Sequence, residues 1–177
     1  MKYRKLGTTN LNVSVICLGT MTFGEQNSQS DAFEQMDYAA ERGVNFFDTA
    51  EMYPAYPKKE TYGKSEEIIG NWLKTKNNRD KIILASKVAS GNPAGIGFSG
   101  LPWIRKGGKN LCFDKDNLNK AVDASLKRLQ TDYIDLYQLH WPERKEVFGQ
   151  LDFKYDPSDT EWTPIEEVLG NLDELVK

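Results

Sequence analysis

At 177 residues, with 39% hydrophobic and 28% charged residues and a mean hydropathy of -0.61, the chain has the make-up of one globular domain over residues 1–177, neither disordered nor membrane-embedded. A formal net charge of -3 offers no concentrated positive surface for nucleic acid or an acidic membrane, and the one basic cluster, Arg105-Lys106-Gly107-Gly108-Lys109, is short. No apolar run approaches the roughly 18 residues that span a bilayer, and Met1 to Gly7 lack the apolar stretch of a signal peptide, so a cytoplasmic address is expected.

The chain opens as a β-hairpin. Lys2-Tyr3-Arg4 and Asn12-Val13-Ser14-Val15 flank the turn-rich Gly7-Thr8-Thr9-Asn10, and Ile16-Cys17-Leu18 then forms a first core strand running into Gly19. Asp31 and Glu34 resemble a capping box for a helix through Ala40, with Gly43 suited to the left-handed position after it. Val44-Asn45-Phe46-Phe47 follows and stops at Asp48. Ser65 is placed to cap a second helix with Ile68, Ile69, Trp72 and Leu73 on one stripe. The next run, Ile82 to Ser86, stops at Lys87. A third helix, capped by Asp114, carries Leu118, Ala121, Val122, Ser125, Leu126 and Leu129 at offsets of 0, 3, 4, 7, 8 and 11, which is helical periodicity. Ile134 to Leu139 then stops at His140. Thr163-Pro164-Ile165-Glu166 opens a last helix with Ile165, Val168, Leu169, Leu172 and Val176 inward.

This order is a hairpin followed by four β-then-α units, whose strands read as apolar runs buried on both faces. A parallel α/β fold follows. A complete (β/α)₈ barrel takes at least about 200 residues and typically about 250, so the chain is expected to hold the N-terminal half of one, truncated at its C-terminus. Two long loops lie on the strand C-terminal side, Glu51 to Lys64 and Val88 to Leu111; the second has six glycines and two prolines and suits a lid.

Cys17 and Cys112 lack Cys-x-x-Cys spacing and His140 is the only histidine, so no disulfide framework or metal site is expected, and both thiols read as buried structural groups. Gly95-Ile96-Gly97-Phe98-Ser99-Gly100 satisfies a dinucleotide fingerprint, but Pro102 follows it in place of an opening helix, and a plain loop is the better reading.

The three strand ends carry the chemistry. Taken singly, Asp48 reads as a turn-capping acid, Lys87 as one of 23 basic residues and His140 as a packed histidine. Together they stand at the carboxyl ends of different parallel strands, where α/β folds place functional groups. A Lys directly after an apolar run needs a carboxylate partner, and Asp48 can supply it. Hydride reaching a carbonyl carbon leaves charge on oxygen, which needs a proton donor and hydrogen bonding. A tyrosine can donate that proton, helped by a neighbouring ammonium. A histidine can orient the carbonyl.

Gly19-Thr20-Met21, Asp48-Thr49-Ala50-Glu51-Met52-Tyr53, Ser65-Glu66-Glu67-Ile68-Ile69-Gly70, Ser86-Lys87, Ser125 to Leu129 and Tyr133 to His140 together resemble an aldo-keto reductase over nearly the whole chain. Met21 to Ser28 and Ala50 to Pro54 resemble its bacterial Tas-like branch. The resemblance implies a (β/α)₈ barrel using NADPH on small-molecule carbonyl substrates. It makes Asp48, Tyr53, Lys87 and His140 a catalytic tetrad, with Gly19, Thr20, Met21 and Asp48 near the nicotinamide. Two departures stand out. Pro54 to Tyr62 reads as an insertion, which makes Tyr62 a rival to Tyr53 and Tyr56 a poor one; Tyr53 keeps the spacing of five from Asp48 and is preferred. The four further strands that supply most cofactor contacts in the family have no counterpart here, so the isolated chain is expected to be inactive. The competing readings are a non-catalytic half-barrel that self-associates or joins a partner through exposed strand edges, and a Schiff-base lyase built on Lys87.

Overall fold

The computed structural model describes residues 1–90, 103–105, 111–143 and 163–176. The Gly95 to Gly100 fingerprint, most of the glycine-rich loop and the basic cluster beyond Arg105 lie outside them.

Strands β1 (Tyr3–Lys5) and β2 (Asn12–Ser14) form the antiparallel hairpin. The core sheet is parallel, in the order β3 (Cys17–Gly19), β4 (Phe46–Asp48), β5 (Ile83–Val88) and β6 (Leu136–Leu139). Helices α1 (Gln29–Glu41), α2 (Lys64–Lys76), α3 (Lys115–Leu129) and α4 (Ile165–Val176) each follow a strand. Four βα units after a hairpin is the architecture expected. Sequential pairing of parallel strands with helical crossovers is what a half-barrel requires.

Period-two alternation separates the two faces of the sheet. Leu18, Phe47 and Leu84 pack towards the helices with Trp72, Ile69 and Met36, and Val88, Tyr137 and Leu139 pack with Leu118, Ala121 and Val168. Phe47 and Trp72 meet with ring centroids 5.5 Å apart. The expectation of strands buried on both faces holds only for this side. Phe46, Ile83 and Leu136, on the other face, are only partly covered by the described residues.

Several local expectations are corrected. The capping box of α1 is Ser28 with Asp31, not Asp31 with Glu34: Ser28 Oγ accepts from the Asp31 N–H at 3.2 Å and the Ser28 N–H donates to Asp31 Oδ2 at 2.9 Å. Gly43 does take the left-handed turn after α1, at φ +81°, and Tyr3 Oη donates to its carbonyl at 2.8 Å, tying the hairpin to the helix. Asp114 caps α3 as expected, accepting from the Asn117 N–H at 2.7 Å. Ser65 is not a cap; Gly63 takes that position and the serine side chain is buried against β3 and β4. At α4 both the N–H and hydroxyl of Thr163 donate to Glu143, so the hydroxyl is spent outside the helix. Only part of the predicted α4 stripe turns inward: Val168 is 2% exposed, but Ile165, Leu169 and Val176 are 56%, 57% and 86% exposed. Packed against one side only, by α3 and the sheet, the helix buries a narrow arc, and Leu172 and Leu175 complete that arc. Cys17 is exposed and Cys112 half-buried, both free; Cys17 lies on the sparsely covered face, and Cys112 Sγ donates to Asp114 Oδ2 at 2.8 Å.

Candidate active site

Asp48 is the last residue of β4. Lys87 lies inside β5, one residue before its end, and His140 directly follows β6. Alternation puts Asp48, Lys87, Gln138 and His140 on the face turned away from the helices. Lys87 Nζ donates to Asp48 Oδ2 at 2.6 Å and to the Thr49 carbonyl at 2.7 Å. Its side chain is 14% exposed, so the carboxylate expected of a strand-end lysine is present where desolvation would otherwise penalise the charge. Gln138 Nε2 donates to the other oxygen, Asp48 Oδ1, at 3.2 Å.

Tyr53 follows the turn after β4. Its ring centroid lies 4.9 Å from Lys87 Nζ and 5.5 Å from the His140 ring, edge-on at 83°. His140 is anchored by its N–H to the Val88 carbonyl at 3.1 Å, and its ring lies 4.7 Å from that of Trp141. Burial, with the Lys87 charge second, lowers the imidazole to about 4, so His140 is neutral near pH 7. Its Nδ1 is buried without a hydrogen-bond partner among the described residues. The four residues expected at one mouth are therefore brought together.

Tyr62 is placed differently. Its hydroxyl donates to Glu51 Oε1 at 2.9 Å, and its ring faces the Arg128 guanidinium at 5.3 Å. Burial and the Glu51 charge push this phenol far up, which leaves it a poor proton donor. Glu51 itself is fully buried; its Oε2 accepts from the Ala89 N–H at 2.9 Å, and Arg105 Nε lies 3.5 Å from its Oε1. Burial raises the Glu51 carboxyl while Arg105 opposes the shift. A second buried acid, Glu66, accepts from Ser86 Oγ at 2.5 Å and Arg128 Nε at 2.7 Å.

Gly19, Thr20 and Met21 sit at the carboxyl end of β3, where Gly19 pairs with Asp48. Gly19 is exposed, with open space where a Cβ would stand, and Met21 is exposed beside it. Thr20 is buried: its hydroxyl donates to the Asp48 carbonyl at 2.9 Å and contacts Ser65 Oγ at 2.9 Å. Sequence reasoning missed Gln138, Thr49 and Ser65. Gln138 was signalled by a polar residue two before His140 in an apolar run, hence on its face. The Thr49 carbonyl left no trace in residue type.

A parallel half-barrel that gathers an ion-paired lysine and aspartate and a neutral histidine at the carboxyl ends of separate strands, with a tyrosine beside them, defines an α/β fold class that commonly serves as an enzyme scaffold. The sequence profile of the Aldo/keto reductase family matches residues 15–177, and the chain belongs to that family of oxidoreductases. It is 43% identical over 178 residues to Protein tas of Escherichia coli (strain K12), an alignment covering 100% of this chain and 48% of that protein. It is 36% identical over 156 residues to the uncharacterized oxidoreductase YrpG of Bacillus subtilis (strain 168), over 85% of this chain and 43% of that one. Among solved structures it is similar to the holo form of aldo-keto reductase AKR11C1 from Bacillus halodurans, with a TM-score of 0.67 and 34% identity over 99% of this chain and 46% of that one. The Tas-like resemblance and the half-barrel are thereby borne out. The chain spans about half the length of the curated relatives it matches.

Proposed function

We propose that these residues form the proton-donating and carbonyl-orienting part of an NADPH-dependent reductase that converts small-molecule aldehydes or ketones to alcohols. The observation that carries this reading is the single cluster in which Lys87 Nζ lies 2.6 Å from Asp48 Oδ2 and 4.9 Å from the Tyr53 ring, with His140 edge-on to that ring. Tyr53 donates the proton to the carbonyl oxygen. Lys87 supplies positive charge beside the tyrosine as negative charge develops there, and Asp48 holds Lys87 in place. His140, neutral near pH 7, offers a ring N–H to the same oxygen and fixes the carbonyl. The open space at Gly19, with exposed Met21 and strand-end Asp48 beside it, fits the nicotinamide end of the cofactor, and buried Thr20 anchors that turn. NADPH, when bound, supplies the hydride.

Most of the cofactor grip is assigned by this reading to a C-terminal half-barrel that joins these residues as a partner or continuation. The two free cysteines suit a reducing, cytoplasmic setting. The Lys87 contacts weigh against Schiff-base chemistry, because a carboxylate and a carbonyl at 2.6 and 2.7 Å hold a charged ammonium and not a free amine.

The test is an NADPH-oxidation assay on an aromatic aldehyde, run on the chain joined to the C-terminal half of a relative. Turnover is expected, with a loss of at least about 100-fold on Tyr53→Phe and none of comparable size on Tyr62→Phe. Turnover that survives Tyr53→Phe, or borohydride trapping of substrate on Lys87, refutes the reading.

A further inference from the structure

Three hydroxyl side chains, Thr20, Thr49 and Ser65, are each fully buried and meet behind the ion pair. Counting protons orders them. Thr20 Oγ1 spends its only proton on the Asp48 carbonyl at 2.9 Å, and the Thr20 N–H donates to the same carbonyl at 3.1 Å. Thr20 Oγ1 therefore accepts in its 2.9 Å contact with Ser65 Oγ. The Ser65 proton is shared between that oxygen and the Thr20 carbonyl, also at 2.9 Å. Ser65 in turn accepts from Thr49 Oγ1 at 3.0 Å. Every hydroxyl proton has an acceptor, and the donors run from Thr49 through Ser65 and Thr20 to the Asp48 carbonyl. A network satisfied at every member holds one geometry.

What it holds is the Asp48–Thr49 backbone. Thr20 grips the Asp48 carbonyl from the residue after β3, and Ser65 grips Thr49 from the first turn of α2. Both oxygens that receive Lys87 Nζ, Asp48 Oδ2 at 2.6 Å and the Thr49 carbonyl at 2.7 Å, belong to this dipeptide. A serine serving the helix would accept from helix N–H groups. The Ser65 hydroxyl spends its hydrogen bonds on Thr20 and Thr49, the residues directly after β3 and β4, instead.

We propose that Ser65 is a positioning residue: acting through Thr49 and Thr20, it presets the two oxygen acceptors of Lys87 and so fixes where the ammonium stands beside Tyr53. The inference rests on the reductase reading for its purpose, but its geometry is tested without turnover.

The test measures the acetylation rate of each lysine in the 177-residue chain with an N-hydroxysuccinimide ester, resolved by peptide mass spectrometry, with exposed Lys64 and Lys81 as internal standards. Ser65→Ala and the shape-conserving Thr49→Val are each expected to speed acetylation of Lys87 about tenfold relative to those standards. Thr49→Ser, which keeps the hydroxyl, should restore the slow rate, a rescue that plain packing would not produce. Far-UV circular dichroism identifies the folded variants, and Thr49→Val carries the test if Ser65→Ala does not fold. An unchanged Lys87 rate in Thr49→Val, or equal rates in Thr49→Val and Thr49→Ser, overturns the proposal. Faster Lys87 acetylation together with turnover that survives Tyr53→Phe would uphold the positioning and refute the reductase reading, so the two fail separately.

Discussion

His140 is held where protonation is unfavourable: burial and the Lys87 charge lower it from 6.5 to about 4. Between those values the unfolded chain binds a proton that the folded chain does not, so stability rises with pH across the window and is lost as pH falls through it. The contribution is fully present above about 6.5. Allowing for partial exposure of the ring, the loss between pH 7 and pH 4 is on the order of 2 kcal/mol. Urea unfolding at pH 7 and pH 5 should show a smaller drop for His140→Gln than for the native chain; equal drops would place the titration elsewhere. Tyr53 and Tyr62 show how environment separates two like residues. One ring lies beside an ammonium and an imidazole, whereas the other donates to a buried carboxylate.

Helices α2 and α3 approach closely at Gly70, where an added Cβ would stand 2.3 Å from the Arg128 carbonyl oxygen. Gly70→Ala is expected to cost about 1–3 kcal/mol from this overpacking, outweighing the gain of about 1 kcal/mol in helix propensity. A thermal unfolding midpoint at or above that of the native chain would contradict it. The same helix pair is joined by Glu66, 0% exposed, and Arg128, with Nε 2.7 Å from Oε2. Removing the acid alone strands a guanidinium and the Ser86 hydroxyl, so Glu66→Ala should lose about 3–5 kcal/mol. Pairing it with Arg128→Met should recover a good part of that loss in denaturant unfolding. Polar links of this kind explain why Ser65, which reads as a helix cap, and Glu66 beside it face the sheet. The α2 N-terminus needs no side-chain cap when Gly63 turns at φ +77°, which frees the serine.

For the molecule as a whole, the proposed reading draws its acid–base groups and a place for a nicotinamide from the described residues, while the solved relatives extend to about twice this length. Titration of the 177 residues with NADPH, followed by tryptophan fluorescence, should show weak or undetectable binding. Joining them to a relative's C-terminal half should bring the affinity into the range of that relative. Tight binding by the 177 residues would show that the cofactor is gripped by this half. No helix among the described residues is long and apolar enough to cross a membrane.

The parallel α/β class and the order of its units were legible in residue order, because apolar runs of strand length alternate with stripes at helical period, and that pattern depends only on neighbours along the chain. Asp48, Lys87 and His140 were legible for the same reason: each interrupts or ends such a run. The exposed half of α4, the commitment of Tyr62 to Glu51 and the hydroxyl network behind Lys87 were not. Each depends on which side chain stands across from which, between segments up to 45 residues apart in the case of Thr20 and Ser65. Hydrogen-bond partners at that separation are set by how the elements pack, and nothing local in the sequence encodes the distance.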